Sequence, residues 1–105
     1  MATITSTELT TTPAAIFTAS GTNVISTMYF CNTNTTTAYG FSVWLVPNGT
    51  TTVDNSTMIY NNVTVVAKDT YVVDREKIVL SNGDAIYAYS NINGNISATV
   101  SYFAQ

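Results

Sequence analysis

The sequence predicts an all-β fold, an antiparallel β-sandwich of about 7–9 short strands that is Ig-like or jelly-roll-like. Three observations lead to this prediction. Threonine, valine, tyrosine, isoleucine and phenylalanine, which favour strands, dominate a series of short runs. Turn residues separate the runs, including Asn-Gly pairs at 48–49, 82–83 and 93–94. No apolar stripe at helical spacing is sustained anywhere in the chain. A small closed barrel is the alternative fold.

The extended segments follow one another along the chain with short polar connections. In order, they are residues 2–9, 14–19, 24–32, 38–46, 58–60, 62–66, 69–73, 77–80, 84–90 and 95–103. With 105 residues, the chain (1–105) is expected to form one β-sandwich domain. Residues 1–12 are rich in threonine and are expected to be either an N-terminal arm, which could add a strand to a neighbour's sheet, or an edge strand.

Four segments allow more specific predictions, two about which side chains are buried and two about strand pairing. The segment 24–32 is apolar on both faces, which predicts a central strand covered on each side, with Val24, Met28 and Phe30 on one face and Ile25, Tyr29 and Cys31 on the other. The segment 38–46 alternates apolar and mostly polar or small residues, which predicts a half-buried strand. The segments 84–90 and 95–103 flank an Asn-Gly turn and predict a hairpin.

The small number of charged residues is the most informative feature of the composition. Charged residues make up 9% of the chain, against roughly 25% in typical soluble domains. Weak charge repulsion favours self-association, so much of the surface is expected to contact partner subunits. The net charge is −3 and the only basic residues are Lys68, Arg75 and Lys77, so no nucleic-acid partner is expected. No segment resembles a membrane span or a secretory signal, so we expect no membrane partner and synthesis in the cytoplasm.

The side chains that most enzymes use are missing from the sequence. There is no histidine, so Ser–His and Cys–His nucleophiles are excluded. Cys31 is the only cysteine, which excludes an internal disulfide and a structural zinc site built on cysteines. Asp69, Asp74 and Asp84 stand beside strand ends, where aspartate commonly caps a turn. No catalytic residue, cofactor or metal site is therefore predicted, and the chain is not expected to be an enzyme.

Four residues are candidates for contacts with a partner or a glycan. Tyr87 and Tyr89 share one face of a predicted strand, and Trp44 is the only tryptophan. Arg75 lies in the one dense run of charges, residues 74–77, which could orient a subunit contact. The alternative for the aromatic residues is ordinary core or cross-strand packing, and for Arg75 a solvated ion pair.

Several sequence blocks from residue 16 to the end have a familiar order and spacing. They are 27–32 (TMYFCN), 43–49 (VWLVPNG), 54–55 (DN), 58–62 (MIYNN), 69–74 (DTYVVD), 77–80 (KIVL), 82–87 (NGDAIY) and 98–102 (ATVSY). In these blocks the chain resembles small virion structural proteins of tailed bacteriophages, particularly phages of cyanobacteria. The resemblance implies a component of the phage particle and no enzymatic activity.

The expected function is that of a non-enzymatic virion structural protein, in first place a capsid decoration or cement module. The alternative is a tail, neck, baseplate or fibre-associated module, which could bind host glycans through Tyr87, Tyr89 or Trp44. The expected partners are the major capsid protein or tail proteins. A homo-oligomer is expected as well, and the symmetry of capsid junctions suggests a trimer.

Overall fold

The structure, a computed structural model, describes residues 2–50, 53–74 and 78–104 and shows nine strands among them. The strand-rich composition predicts this architecture, and the strand bounds agree with the predicted segments to within one or two residues, except that the segments 58–60 and 62–66 form a single strand. The strands are β1 (Ala2–Glu8), β2 (Ala14–Thr18), β3 (Asn23–Asn32), β4 (Tyr39–Val46), β5 (Met58–Val65), β6 (Thr70–Val73), β7 (Ile78–Leu80), β8 (Ala85–Ser90) and β9 (Ile96–Ala104).

The strands form two antiparallel sheets. Sheet I has the order β1-β9-β3-β6, and β7 pairs with β3 beyond the end of β6. Sheet II has the order β2-β8-β4-β5. All connections except β4–β5 and β6–β7 pass from one sheet to the other. If β6 and β7 are counted as one interrupted strand, this is the eight-stranded connectivity of a jelly roll. The β-sandwich prediction is confirmed, and of the alternatives named with it the jelly roll describes this strand order.

The hydrophobic core lies between the two sheets. At its centre the rings of Phe30 on β3 and Phe41 on β4 stack with their centroids 4.1 Å apart and their planes at 11°. On β9, Ile96, Ala98 and Val100 are all buried in this core, because alternate residues of a strand point to the same side of the sheet. The packing joins β3 and β9 in sheet I to β4 and β8 in sheet II, so the central strands of both sheets form the core.

The predicted C-terminal hairpin is wrong. β8 lies in sheet II and β9 lies in sheet I, and no pairing joins them. The connection 91–95 crosses between the sheets, since the Asn91 N–H donates to the Gly40 carbonyl oxygen in sheet II and the Gly94 N–H donates to the Leu9 carbonyl oxygen beside sheet I. Gly94 does adopt the expected left-handed conformation, with φ 82°. An Asn-Gly pair specifies a tight reversal, but five residues are also long enough to cross the roughly 10 Å between packed sheets.

The prediction of which side chains share a face of β3 is wrong for Val24 and Ile25 and confirmed for Met28, Phe30, Tyr29 and Cys31. The register against β9 shifts between Ile25 and Thr27, a β-bulge that places an extra residue, Ser26, in the strand. Because one extra residue reverses the alternation, Ile25 joins Met28 and Phe30 in the core. Val24 instead lies on the outward face of sheet I.

The degree of burial predicted for β3 and β4 is reversed in the structure. On the outward face of β3, Tyr29 is 41% exposed, whereas on the outward face of β4 Trp44 is only 5% exposed. The neighbouring strands explain the difference. β8 places the large rings of Tyr87 and Tyr89 beside β4, whereas β9 places small Ser and Thr side chains beside β3. β4 is therefore the strand that is buried on both faces.

Candidate functional site

Three of the described carboxylates, those of Asp54, Asp69 and Asp84, accept hydrogen bonds in turns and connections between strands. Asp84 accepts hydrogen bonds from the N–H groups of Asn48 (2.9 Å) and Ser81 (3.0 Å), and Asp69 accepts one from the Thr70 N–H (2.8 Å). The Asp54 carboxylate accepts bonds from the hydroxyl and the N–H of Ser56, and these hold the pKa of Asp54 below its ordinary value. The capping role predicted for Asp69 and Asp84 is confirmed, and for Asp74 it stays a prediction.

Within residues 2–50, 53–74 and 78–104, no three histidine, cysteine, aspartate or glutamate side chains are grouped so that they could hold a metal ion. A depression of about 330 Å³ opens between the sheets at the β5 and β7 side, where Leu45, Ile59, Tyr60 and Ile78 line it. Its described lining is apolar apart from the tyrosine hydroxyl.

The structure brings together three of the four candidate contact residues, on the outward face of sheet II. Tyr87 lies directly opposite Trp44 in the β8–β4 register, and Tyr89 lies opposite Ser42. The rings of Tyr89 and Trp44 are 5.6 Å apart between centroids, with their planes tilted by 37°. Tyr87 and Tyr89 are both partly exposed. This aromatic cluster (Trp44, Tyr87, Tyr89) is the place on sheet II where a flat ligand could stack.

The burial of Trp44 narrows its role within the aromatic cluster. At 5% exposure, its indole ring has almost no free face, so a ligand would contact the two tyrosines. Trp44 packs against the ring of Tyr89 and so limits the orientations that this ring can adopt. The fourth candidate, Arg75, lies outside the described residues, as do Glu76 and Lys77.

A second surface, on the outward face of sheet I, is larger and more apolar. Eight large hydrophobic side chains are exposed among the described residues, and five of them lie on this face: Ile4, Tyr29, Val72, Val79 and Phe103. Their exposed fractions run from 41% for Tyr29 to 68% for Ile4. Together with the half-buried Val24, these residues form what we call the apolar face.

The strand register places five of the six members of the apolar face in two rows across sheet I, and the sixth, Ile4, lies opposite Ser101 of β9, between the rows. Phe103, Val24 and Val79 lie directly opposite one another on β9, β3 and β7. Thr99, Tyr29 and Val72 form a parallel row on β9, β3 and β6. Residues opposite one another in antiparallel strands have their Cβ atoms about 4.5–5.5 Å apart, so each row is a continuous strip of side chains.

The apolar face is almost uncharged. Among the described strand positions that point outward from sheet I, Glu8 at the end of β1 is the only charged residue. The remaining positions carry serine, threonine, the hydrophobic side chains and the partly exposed Cys31. A surface of this kind loses little hydration energy when a partner covers it, because few charges have to be desolvated.

Reasoning from the sequence did not find the apolar face. The two apolar faces of residues 24–32 predict a strand covered on both sides, whereas the structure leaves one of these faces open to solvent. The exposure of Val24 depends on the Ser26 bulge, and the proximity of Val79, Val72 and Phe103 depends on long-range pairing. The one indication of the apolar face in the sequence is that residues 24–32 carry hydrophobic side chains on both faces.

The described residues include no helix with the length and hydropathy that a membrane crossing would require. Comparison of the chain with known protein families, with curated proteins and with solved structures finds no match. The candidate surfaces are therefore interpreted from their own geometry and chemistry.

Proposed function

We propose that this chain is a non-enzymatic structural module of a phage particle, and more specifically a capsid decoration or cement module. It attaches to a neighbouring subunit through the apolar face. The major capsid protein is the partner that a decoration module would contact, and tail proteins are the partners for a tail, neck or baseplate location.

The apolar face is the observation that carries the proposal. Solvent-exposed hydrophobic side chains that are contiguous and free of charge mark interaction sites on soluble proteins. Four strand widths and the length of β9 give the whole outward face of sheet I, which carries the apolar face, a projected area of roughly 600 Å². A standard protein interface buries about 800 Å² on each partner, so the face has the dimensions of one subunit contact.

Composition supports the same function. With 9% charged residues, the chain has little electrostatic repulsion to keep it apart from neighbours. A rigid two-sheet sandwich also presents a docking surface with little conformational entropy to lose on binding. The resemblance to virion structural proteins of tailed phages supplies the biological setting.

Particle binding tests the proposal. Purified protein is added to particles of the encoding phage that were grown without the gene, and the bound protein is measured after sedimentation. Wild-type protein is expected to bind saturably. A copy number comparable with that of the capsid subunits would indicate the shell, and a much lower one the tail. The double variant Val79→Lys, Phe103→Lys is expected to bind at least about tenfold less, because two unpaired ammonium groups would have to be buried.

The matched control places two lysines on sheet II, at Thr18 and Thr64, which are exposed β-strand positions like Val79 and Phe103. This Thr18→Lys, Thr64→Lys variant has the same net charge and is expected to bind as the wild type does. Failure of the wild-type protein to bind, or equal binding by both double variants, would contradict the proposed docking surface.

Glycan binding through the aromatic cluster is the second candidate function. The partly exposed rings of Tyr87 and Tyr89, with Trp44 packed beneath Tyr89, favour it. If it holds, an array of polysaccharides from host cell surfaces would show selective binding. We expect the double variant Tyr87→Ala, Tyr89→Ala to abolish that binding, because each ring supplies a stacking face. Tyr29→Ala, at an exposed tyrosine on the other sheet, would leave it unchanged. Uniform background across the array would eliminate this function.

A further inference from the structure

The free edges of the two sheets differ in how they are protected against pairing with another chain. An exposed edge strand presents unpaired N–H and C=O groups, and proteins block such edges with short strands, bulges, proline or charge. In sheet I the β6/β7 edge is broken into strands of four and three residues. In sheet II, β2 has a register shift after Ala15, and β5 has two shifts and a left-handed residue, Asn62, at φ 50°.

β1, the remaining edge, has none of these features except one charged residue at its end. It pairs with β9 over seven consecutive residues without a register shift. It contains no proline and no lysine, and Glu8 at its end is its only charged residue. Among the described strands, β9 is its only partner in the sheet. β1 is therefore a straight edge that is open to the addition of another strand.

The hydrogen bonds identify which backbone groups of β1 point away from β9. The Leu9 N–H donates to the Ile96 carbonyl oxygen at 2.8 Å, in continuation of the β1–β9 register. Because the direction of backbone groups alternates along a strand, the N–H groups of Thr5 and Thr7 also point toward β9. Those of Ile4, Ser6 and Glu8 point toward the open edge. The same alternation holds for their carbonyl groups.

We propose that two copies of this chain pair through their β1 strands, antiparallel and about a two-fold axis next to Thr5. In this register all seven residues of β1 are paired, and Ser6 lies opposite Ile4 of the second copy. About eight backbone hydrogen bonds would join the two edges. The two sheets I then form one continuous sheet, and both open edges are used, so the dimer is closed.

The position of Glu8 selects the antiparallel arrangement. With Thr5 on the axis, the two Glu8 carboxylates lie about 20 Å apart along the strands. A parallel in-register pairing would instead place them on neighbouring strands about 4.8 Å apart, where like charges repel. The geometry of this edge thus favours a two-fold dimer and not the trimer suggested by the symmetry of capsid junctions. The pairing uses the edge of the sheet and is independent of what binds the apolar face.

Sedimentation equilibrium of the purified chain tests the pairing. An edge contact is smaller than a standard interface, so a reversible dimer is expected between about 5 and 500 µM. Ser6→Pro removes the open-edge N–H while leaving the β9 ladder intact, a position where strands tolerate proline. It is expected to raise the dimer dissociation constant about 30-fold or more, since each copy loses one donor. The matched control Ser6→Ala keeps the N–H and should dimerise as the wild type does.

Two further measurements on the wild-type protein keep the test decisive if the proline variant misfolds. Hydrogen exchange at Ile4 and Ser6 is expected to slow as concentration rises, while exchange at Thr5 and Thr7 is slow throughout. The reactivity of the Cys31 thiol, which lies on the outward face of sheet I, is expected to be unchanged by dimerisation.

A strictly monomeric wild-type protein, or a proline variant that dimerises normally, would overturn the proposal. Protection of Cys31 in step with dimerisation would also overturn it, because that result means that the faces pack together. Particle binding is a separate measurement, so the proposed function can fail or stand independently of this dimer.

Discussion

Replacing Phe30 by alanine is expected to lower the free energy of unfolding by about 3–5 kcal/mol. Phe30 is fully buried, at 0% exposure, and stacks on Phe41 of the opposite sheet. The substitution removes a ring from the point where the two sheets meet and leaves a cavity that neither rigid sheet can readily close. Domains of this size have total stabilities of about 5–15 kcal/mol, so much of the protein would be unfolded under mild denaturing conditions.

Urea denaturation followed by tryptophan fluorescence measures this effect, since Trp44 is the only tryptophan. Phe103→Ala is the matched control: the same side chain is removed from a site that is 43% exposed on the apolar face. It should change the unfolding free energy by less than about 1 kcal/mol. Comparable losses for the two variants would show that the interface between the sheets does not provide the main stabilisation.

Replacing Asn32 by alanine is expected to cost about 2–4 kcal/mol. Asn32 is fully buried at the end of β3, and its side-chain amide donates hydrogen bonds to the carbonyl oxygens of Thr37 (3.0 Å) and Val65 (2.9 Å). Its side-chain oxygen accepts a bond from the Asn34 N–H at 2.9 Å. Alanine would leave these backbone groups without their partner. Because Val65 ends β5 in sheet II, Asn32 also joins the two sheets at this end of the sandwich.

The same denaturation experiment has a control in Asn93→Ala. The Asn93 side chain accepts one hydrogen bond from the Thr11 N–H at 2.8 Å, in an exposed position where water can replace it. Its loss is expected to cost less than about 1 kcal/mol. A small effect at Asn32, equal to that at Asn93, would mean that the structure adjusts to satisfy the backbone groups around residue 32.

Phe30 and Asn32 also hold in place the strand that carries part of the apolar face. Phe30 and Asn32 point inward from β3, while Tyr29 and Cys31 on the same strand point outward. The apolar face is thus the outer side of a strand whose inner side is locked in the core. Substitutions on the apolar face can therefore change docking while the fold persists, which is the basis of the lysine variants proposed above.

Some aspects of the candidate surfaces could be read from local sequence. The alternation in residues 84–90 places Tyr87 and Tyr89 on one face of a strand, and the structure agrees. That Trp44 joins them follows only from the β4–β8 register, which joins segments some forty residues apart. The apolar face depends on three features that local sequence does not reveal. These are the Ser26 bulge, the pairing of β7 with the start of β3, and the pairing of β9 along its whole length.

By itself, the sequence determined the all-β class, the sandwich architecture and the positions of most strands, because strand propensity, alternation and turn residues act over a few neighbouring positions. Only the tertiary structure decided that β8 and β9 lie in different sheets, that β4 and not β3 is buried on both faces, and that six hydrophobic side chains meet on one outward face. The reason is physical. The partner of a strand is selected by burying apolar surface across the whole domain, and a single inserted residue reverses which side chains face the core.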